Sequence, residues 1–220
     1  MTRPSRTVRL ALAALAAAAL AACAAPPKKD LGKFMAAQPR SILVLPVVNN
    51  SVDVTAGDYF LSTVPVPLAE RGYYVFPVNL VKRLLEDDGL ADASLVHGAP
   101  TGRVGNLFGA DAVLYIVIQK WEAQWVLVST SVTVQLEYTL RDAKTGDVIW
   151  QDKRTKTYSS DSGGGGLIGA IVNAAVTKAS PNYMPLALQA NWEALTYPGP
   201  GFPAGPYRAE YKHDYQPGAP

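Results

Sequence analysis

The sequence predicts an α/β fold on a mixed sheet, with a parallel β-α-β-α-β start, an antiparallel C-terminal meander and flanking helices. Two patterns carry this prediction. Short runs of branched apolar residues alternate with helical segments up to residue 118, and stretches of alternating apolar and polar residues follow. The first pattern is typical of strands buried on both faces, and the second of strands with one wet face.

Three apolar runs, at 40–48, 73–78 and 112–118, predict the strands of the parallel start. Pro46 has no N–H to donate to a strand partner, so it should lie at a sheet edge, a bulge or a strand end. Residues 91–108, just before the third run, are predicted to form one short helix and loops. The alternation of strands and helices then requires right-handed crossovers between parallel strands.

Two helices are predicted between these strands. Residues 53–71 have a helical pattern that Pro65 and Pro67 should break or kink, and Gly72 is placed to end it. Asn79 is predicted to cap the next helix, because asparagine accepts hydrogen bonds from free N–H groups at helix starts. The apolar residues of that helix recur at helical spacing: Leu80, Val81, Leu84 and Leu85.

The antiparallel meander is predicted from alternation along 126–140 and a returning strand at 148–158. Residues 142–147 should form the turn between them, with Gly146 supplying a positive φ. The third strand of the parallel start, ending near Trp121, completes the meander. Since side chains alternate along a strand, one set should point into the core (Val132, Val134, Leu136) and the other outward (Thr133, Gln135).

The C-terminal part of the chain contains a predicted hinge, an apolar helix and a tail. Residues 159–166 are rich in glycine, 167–176 are apolar, and a helical pattern continues to residue 195 with Pro181 and Pro185 interrupting it. The tail at 197–220 is too rich in proline and glycine to form a core, although its aromatic residues suggest that part of it packs along the domain.

The apolar helix is the basis for a predicted interaction surface. A helix that is apolar on nearly every face must be buried all round, so a second copy of the chain or a partner should cover its outer face. The alternative is that the tail folds back over it. The residues of this predicted surface are Leu167, Gly169, Ile171 and Val172, together with Trp121 and Trp125, for which core or rim packing is the alternative.

The N-terminus predicts a membrane anchor. Three arginines precede an apolar run at 10–20 that is too short to span a bilayer, and Leu20-Ala21-Ala22-Cys23 follows with the only cysteine of the chain. This motif resembles the bacterial lipobox, in which signal peptidase recognises Leu20, Ala21 and Ala22. The resemblance implies cleavage before Cys23, diacylglycerol on its thiol and acylation of its amino group. The alternative is an ordinary signal peptide with an incidental cysteine.

These features divide the chain into four predicted parts: a lipoprotein signal peptide at 1–22, an acylated cysteine and tether at 23–39, an α/β domain at 40–196 and a tail at 197–220. In lipoprotein sorting, an aspartate after the cysteine retains a protein at the inner membrane. Ala24 stands there, which favours the outer membrane, with the periplasmic face preferred over the cell surface.

Composition and motifs argue against several functions. Removing the three signal arginines takes the formal net charge from +2 to −1, so nucleic-acid binding is not expected. His97 and His213 lack the spacing of metal ligands, and no cofactor motif or catalytic constellation occurs. We therefore expect no enzyme. The alternative is an envelope enzyme acting on glycan or lipid, which would need paired carboxylates in a cleft.

Four segments, at 40–51, 59–64, 67–78 and 203–207, resemble a family of proteobacterial lipoproteins that includes a neisserial surface lipoprotein antigen. The most specific parts are Tyr-Tyr-Val-Phe-Pro-Val and Pro-Ala-Gly-Pro-Tyr. The resemblance implies a fold similar to the N-terminal domain of the Tol-Pal translocation protein, and more loosely to lipoproteins of curli secretion and of penicillin-binding-protein activation. It implies an interaction or assembly role with an envelope protein partner and assigns no catalytic residue.

Overall fold

The computed structural model describes residues 30–126, 129–159, 183–196 and 201–213. Its helices are α1 Gly32–Ala37, α2 Ala56–Leu61, α3 Pro65–Glu70, α4 Val78–Asp87, α5 Ala93–Gly98, α6 Thr101–Phe108 and α7 Met184–Leu195. Its strands are β1 Ser41–Val44, β2 Val48–Asn49, β3 Tyr74–Val75, β4 Ala112–Val126, β5 Ser129–Asp142 and β6 Val148–Ser159.

The strands form one mixed sheet in the order β3-β1-β4-β5-β6, and β2 also pairs with β4. The pairs β1–β3, β1–β4 and β2–β4 are parallel, whereas β4–β5 and β5–β6 are antiparallel. This arrangement confirms the predicted fold class, a parallel start followed by an antiparallel meander. The helices lie against the sheet and bury its apolar side chains.

Each face of the sheet has its own core. The larger core packs the sheet against α1, α2, α3 and α7, and its strand residues include Ile42, Val44, Leu114, Val134 and Tyr138. The smaller core packs the other face against α4, α5 and α6, and its strand residues include Leu43, Val113 and Tyr115. Because β1 contributes to both cores, its side chains are buried on both faces, as the continuous apolar run predicted.

Pro46 lies between two short strands rather than inside one long strand. The predicted strand at 40–48 is therefore divided into β1 and β2, both of which pair with β4. The Leu45 N–H still donates to the Leu114 carbonyl at 3.1 Å, and regular pairing stops there. This agrees with the prediction that proline lies at a strand end, since it has no N–H to continue the ladder.

The helix predicted at 53–71 is two helices, α2 and α3, and proline sets the break. Pro65 occupies the first turn of α3, where its missing N–H leaves no hydrogen bond unmade. Arg71 ends α3, and Gly72 follows with a φ of +87°. Gly72 therefore ends the helix as predicted, in a backbone conformation that favours glycine.

Two helix predictions were wrong in detail. The helix α4 begins at Val78 with Pro77 in the capping position, so Asn79 lies within its first turn and does not cap it. The buried Val78 side chain belongs to the larger core, which places the helix start before Asn79. Residues 91–108 form two helices rather than one, and the Asp92 side chain accepts from the Ser94 N–H at 2.7 Å to start the first.

The position of the β4–β5 connection was also predicted wrongly. Strand β4 continues past Trp121 to Val126, which the prediction had placed in β5. The sequence has no glycine, proline, asparagine or aspartate between 121 and 131 to mark a turn. The next turn was predicted correctly, because Gly146 has a φ of +76° and the Asp142 N–H donates to the Asp147 carbonyl.

The last helix has, in its first turn, a proline that was predicted to interrupt it. Pro185 lies in the first turn of α7, a position that proline tolerates. Residues 160–182, which include the predicted hinge and apolar helix, lie outside the described residues, as do 197–200 and 214–220. Within the tail, residues 201–205 are buried against the larger core through Phe202.

Candidate functional site

The structure brings together two segments that are 131 residues apart in the sequence at Arg71 and Phe202. Residues 201–207, here called the C-terminal strap, lie against Arg71, Gly72 and Tyr73, which connect α3 to β3. These are two of the segments on which the family resemblance rests, Pro-Ala-Gly-Pro-Tyr and Arg-Gly-Tyr-Tyr-Val-Phe-Pro-Val. The sequence pointed to both segments but contained no signal that they are in contact.

Hydrogen bonds to its main chain hold the C-terminal strap in place. The Phe202 carbonyl accepts from Arg71 Nε at 2.6 Å, and the Pro203 carbonyl accepts from the Tyr73 hydroxyl at 2.8 Å. The Gly205 N–H donates to the Arg71 carbonyl at 2.8 Å, and the Tyr207 N–H donates to the Gly72 carbonyl at 3.2 Å. Arg71 is only 9% exposed, so its charge-assisted bond lies in a shielded environment.

The ring of Phe202 anchors the C-terminal strap in an aromatic cluster. It makes edge-to-face contacts with Phe34 of α1 at 5.7 Å, Tyr73 at 5.2 Å and Trp150 of β6 at 4.8 Å between ring centroids. Trp150 also donates from Nε1 to the Gly201 carbonyl at 3.3 Å. The aromatic cluster of Phe34, Tyr73, Trp150 and Phe202 therefore joins α1, the sheet and the C-terminal strap at one point.

Glycine is required where the two segments cross. A Cβ at Gly205 would overlap the Gly72 carbonyl oxygen, and a Cβ at Gly72 would overlap Arg208. Both contacts involve main chain, so neither can be relieved by rotating a side chain. The glycines at the centres of Arg-Gly-Tyr and Ala-Gly-Pro thus have a shared physical explanation, a close approach of two backbones.

Trp121 is not an exposed partner site, which corrects that prediction. Trp121 is 4% exposed, and its ring packs edge-on against Phe60 at 6.4 Å and in a tilted arrangement against Tyr183 at 5.1 Å. Because strand β4 continues beyond Trp121, this residue lies within a strand and not at a turn, and its side chain packs in the core. The side chain of Trp125 lies outside the described residues, as do Leu167, Gly169, Ile171 and Val172.

One groove is lined by two aspartates, the residue type on which the enzyme alternative depends. A cavity of about 310 Å³ between α1 and the β5–β6 turn is lined by both Asp142 and Asp147. Asp142 accepts from the N–H groups of Lys144 and Thr145, both at 2.8 Å, and so stabilises the turn. Asp147 pairs with Lys33 of α1 at 3.3 Å. Both carboxylates therefore have structural partners in this groove.

Within the described ranges, no cluster of three or more histidine, cysteine, aspartate or glutamate side chains is placed to hold a metal ion. His97 donates from Nε2 to the Pro46 carbonyl at 2.9 Å, and its ring packs edge-on against Tyr115 at 5.1 Å. Burial lowers the pKa of His97, and the Pro46 carbonyl opposes this effect. His97 is therefore engaged in packing between α5 and the sheet.

A buried polar network fixes α7 on the larger core. Asn191 donates to the Thr63 hydroxyl and accepts from the Tyr138 hydroxyl at 2.8 Å, and Thr63 donates to the Phe60 carbonyl. Burial raises the pKa of Tyr138 well above its usual value, and the nearby Asp152 raises it further. Tyr138 is thus a neutral donor that positions the helix, since ionising it in this core would be very unfavourable.

Comparison with known proteins shows that this chain is similar to lipoproteins. The family model described as "Putative lipoprotein GNA1162-like" matches residues 29–192. The "Putative lipoprotein NMB1124/NMB1162" of Neisseria meningitidis serogroup B is 33% identical over 169 residues, which cover 77% of this chain and 79% of that protein. The crystal structure of lipoprotein GNA1162 from Neisseria meningitidis is also 33% identical, with a TM-score of 0.56 over 63% of this chain and 96% of that chain.

Proposed function

Since this chain belongs to the GNA1162-like lipoprotein family, we propose that it is a lipid-anchored, non-catalytic component of the bacterial envelope that binds an envelope protein. The observation that carries the proposal is the match over 29–192, which begins six residues after the lone cysteine of a lipobox-like motif. No helix in the described part of the chain is long and apolar enough to cross a membrane. The N-terminal lipid would supply the attachment.

The anchor is tested by Cys23→Ser, which removes the thiol that would be acylated. We expect the variant to lose membrane attachment or to retain residues 1–22, because more than one acyl chain is needed for stable anchoring. Fractionation shows the first result and intact-protein mass spectrometry shows the second. Ala24→Ser, beside the same site, is the matched control. A Cys23→Ser protein with the mass and membrane fraction of the wild type would contradict the lipoprotein assignment.

For its location we propose the outer membrane, with the domain on the periplasmic face. The support is Ala24, which is not the aspartate of inner-membrane retention. Density-gradient separation of the two membranes tests the first part. Protease added to intact cells tests the second, since a periplasmic domain should survive until the outer membrane is opened.

The proposed mechanism is tethering. A domain held at a membrane meets partners on that membrane at a high effective concentration, so modest contacts suffice for binding. Purification from detergent-solubilised envelopes, with Cys23→Ser as the untethered comparison, should recover a stoichiometric envelope protein. Turnover of a cell-wall glycan or lipid by the purified protein would instead support an enzyme and contradict the non-catalytic assignment.

The chain itself is a further proposed partner. The apolar residues Leu167, Gly169, Ile171 and Val172 would form a surface that a second copy covers. Light scattering on a soluble form lacking residues 1–23 should then show a dimer that Ile171→Glu dissociates. A monomer at every concentration would rule out this surface, and a dimer unaffected by Ile171→Glu would place the interface elsewhere.

A further inference from the structure

We propose that the C-terminal strap sets the length of the membrane tether, because it holds α1 against the domain. While the strap is docked, α1 is folded onto the larger core and the tether ends at Asp30. When the strap leaves, α1 is released and becomes part of the tether. The inference rests on the proposed anchor at Cys23, but the coupling between the strap and α1 can be measured without it.

The helix α1 depends on packing for its stability. It has six residues, and helices of this length are unstable in water unless tertiary contacts hold them. The Asp30 carboxylate accepts from the Gly32 N–H at 2.9 Å, but this bond is exposed to solvent. The ion pair between Lys33 and Asp147 is also exposed, and such pairs contribute little. Phe34 is the one fully buried residue of α1.

The C-terminal strap supplies part of the site that Phe34 occupies. The Phe34 ring is 1% exposed and meets the Phe202 ring edge-on. Leu31 and Ala37 add smaller, partly buried contacts to the same core. If the strap undocked, Phe34 would lose an aromatic partner and become accessible to water at that side. Docking of the strap and folding of α1 are therefore coupled, and coupling of this kind acts in both directions.

Releasing α1 would change the reach of the domain. Beyond α1, the next fixed points are the N–H groups of Arg40 and Ser41, which both donate to Asp111 Oδ2 at 3.0 Å. An extended chain spans at most about 3.6 Å per residue, so Cys23 lies within about 25 Å of Asp30. The same limit gives about 60 Å from Cys23 to Arg40.

The length of the free tether determines how far from the membrane the domain can bind a partner. With the strap docked, the domain stays close to the membrane that carries its lipid. With the strap released, the tether gains ten residues, or roughly 35 Å of extended chain, and the reach of the domain grows by that length less the distance between Asp30 and Arg40 in the docked state. A partner that binds residues 201–207 in their undocked form would shift the population toward the longer tether, because a ligand favours the state that it binds.

The coupling is tested by hydrogen–deuterium exchange on the full chain with Phe202→Ala. The α1 amides of Met35 and Gln38 donate to the carbonyls of Leu31 and Phe34, and their exchange should rise by more than about tenfold. Tyr207→Ala is the matched control, since this strap side chain is 66% exposed. The Val81 amide, which donates to the Pro77 carbonyl in α4, should keep its protection.

A second variant, on the α1 side of the same contact, distinguishes coupling between the strap and α1 from general unfolding. Phe34→Ala breaks the same contact from the α1 side and should raise exchange at the Gly205 and Tyr207 amides of the strap. Unchanged strap exchange in Phe34→Ala, or unchanged α1 exchange in Phe202→Ala, would overturn the proposal. An equal rise at Val81 would also overturn it, because the aromatic cluster would then act only on global stability.

The change in reach is tested on the lipidated protein in vesicles. Thr145→Cys places a label on the exposed β5–β6 turn near α1, and no other free thiol is present once Cys23 is acylated. Energy transfer from this label to acceptor lipids should fall when Phe202→Ala is added. Equal transfer in both proteins would overturn the tether proposal. A protein that is not lipidated would instead contradict the anchor, while the exchange experiment would still report the coupling.

Discussion

The parallel half of the sheet and the antiparallel meander differ in how many of their faces are covered. In β1, Ile42 and Leu43 point to opposite faces and both are fully buried, because helices pack on each side. In β5, Val134 is fully buried whereas its neighbour Thr133 is partly exposed. The same sheet therefore contains strands that are buried on both faces and strands that are buried on one face only.

Polar side chains form pairs across strands on the open face of the meander. The Thr133 and Thr157 hydroxyls are hydrogen bonded at 3.0 Å, and Lys153 of β6 donates to Glu137 of β5 at 2.6 Å. The hydrogen bond from Lys153 holds the pKa of Glu137 below its usual value. Pairs of this kind are weak in water, so they select the register of the strands more than they stabilise the fold.

The largest expected effect comes from placing a charge on each face of β5. Val134→Asp should destabilise the domain by about 4 kcal/mol or more, because an isolated charge would enter the core. Thr133→Lys should change stability by less than about 0.5 kcal/mol, since its side chain reaches solvent. Denaturant unfolding followed by circular dichroism measures both. Similar losses from the two variants would show that the meander has no open face.

A smaller effect is expected from truncating neighbours in β1. Ile42→Ala and Leu43→Ala should each cost about 2–5 kcal/mol, because each removes buried methyl groups from a different core. The same unfolding measurement applies. If only one of the two variants lost stability, one face of β1 would have to be accessible to water, and the distinction between the two halves of the sheet would be lost.

The smallest expected effect is a dependence of stability on pH. It comes from His97, which packs between α5 and the parallel half of the sheet. The pKa of His97 is lowered from its ordinary value of 6.5 by burial, so the unfolded chain binds a proton more readily than the folded one. The contribution of neutral His97 to the free energy of unfolding is therefore fully present above pH 6.5. It is lost as the pH falls below that value toward the pKa of His97 in the folded protein.

His97→Gln tests this sign, because glutamine can donate to the Pro46 carbonyl but does not titrate. Between pH 7 and about 5, the wild type should lose more stability than His97→Gln. Thermal unfolding at a series of pH values measures the difference. A wild-type curve with the same slope as that of the variant would mean that His97 does not contribute to acid sensitivity.

The sheet could be predicted because its signals are local. The run around Ile42 indicated two covered faces, the alternation around Val134 indicated one, and Gly146 marked the turn between β5 and β6. Proline at 65 marked the break between α2 and α3. In each case, the physical constraint acts within a few residues of the chain, through a missing N–H, a positive φ or a side-chain period.

The wrong predictions arose where distant contacts outweighed local preference. Asn79 is a good capping residue, but burial of Val78 in the larger core placed the helix start before it. The β4–β5 connection has no turn residue, so pairing of Trp121 with Val134 and of Ala123 with Val132 decides where the strands lie. Hydrogen bonds between strands set this register, and they depend on residues that are remote in sequence.

The sequence by itself determined the fold class and the faces of the strands, and it marked the lipobox-like motif at Cys23 and two distinctive glycine-containing segments. Only the tertiary structure decided that those two segments touch, with Gly205 against Gly72 and Phe202 between Phe34 and Trp150. Periodicity reports on which face of an element is dry. It carries no information on which remote segment covers that face, because such contacts depend on the shapes of surfaces that exist only after the chain has folded.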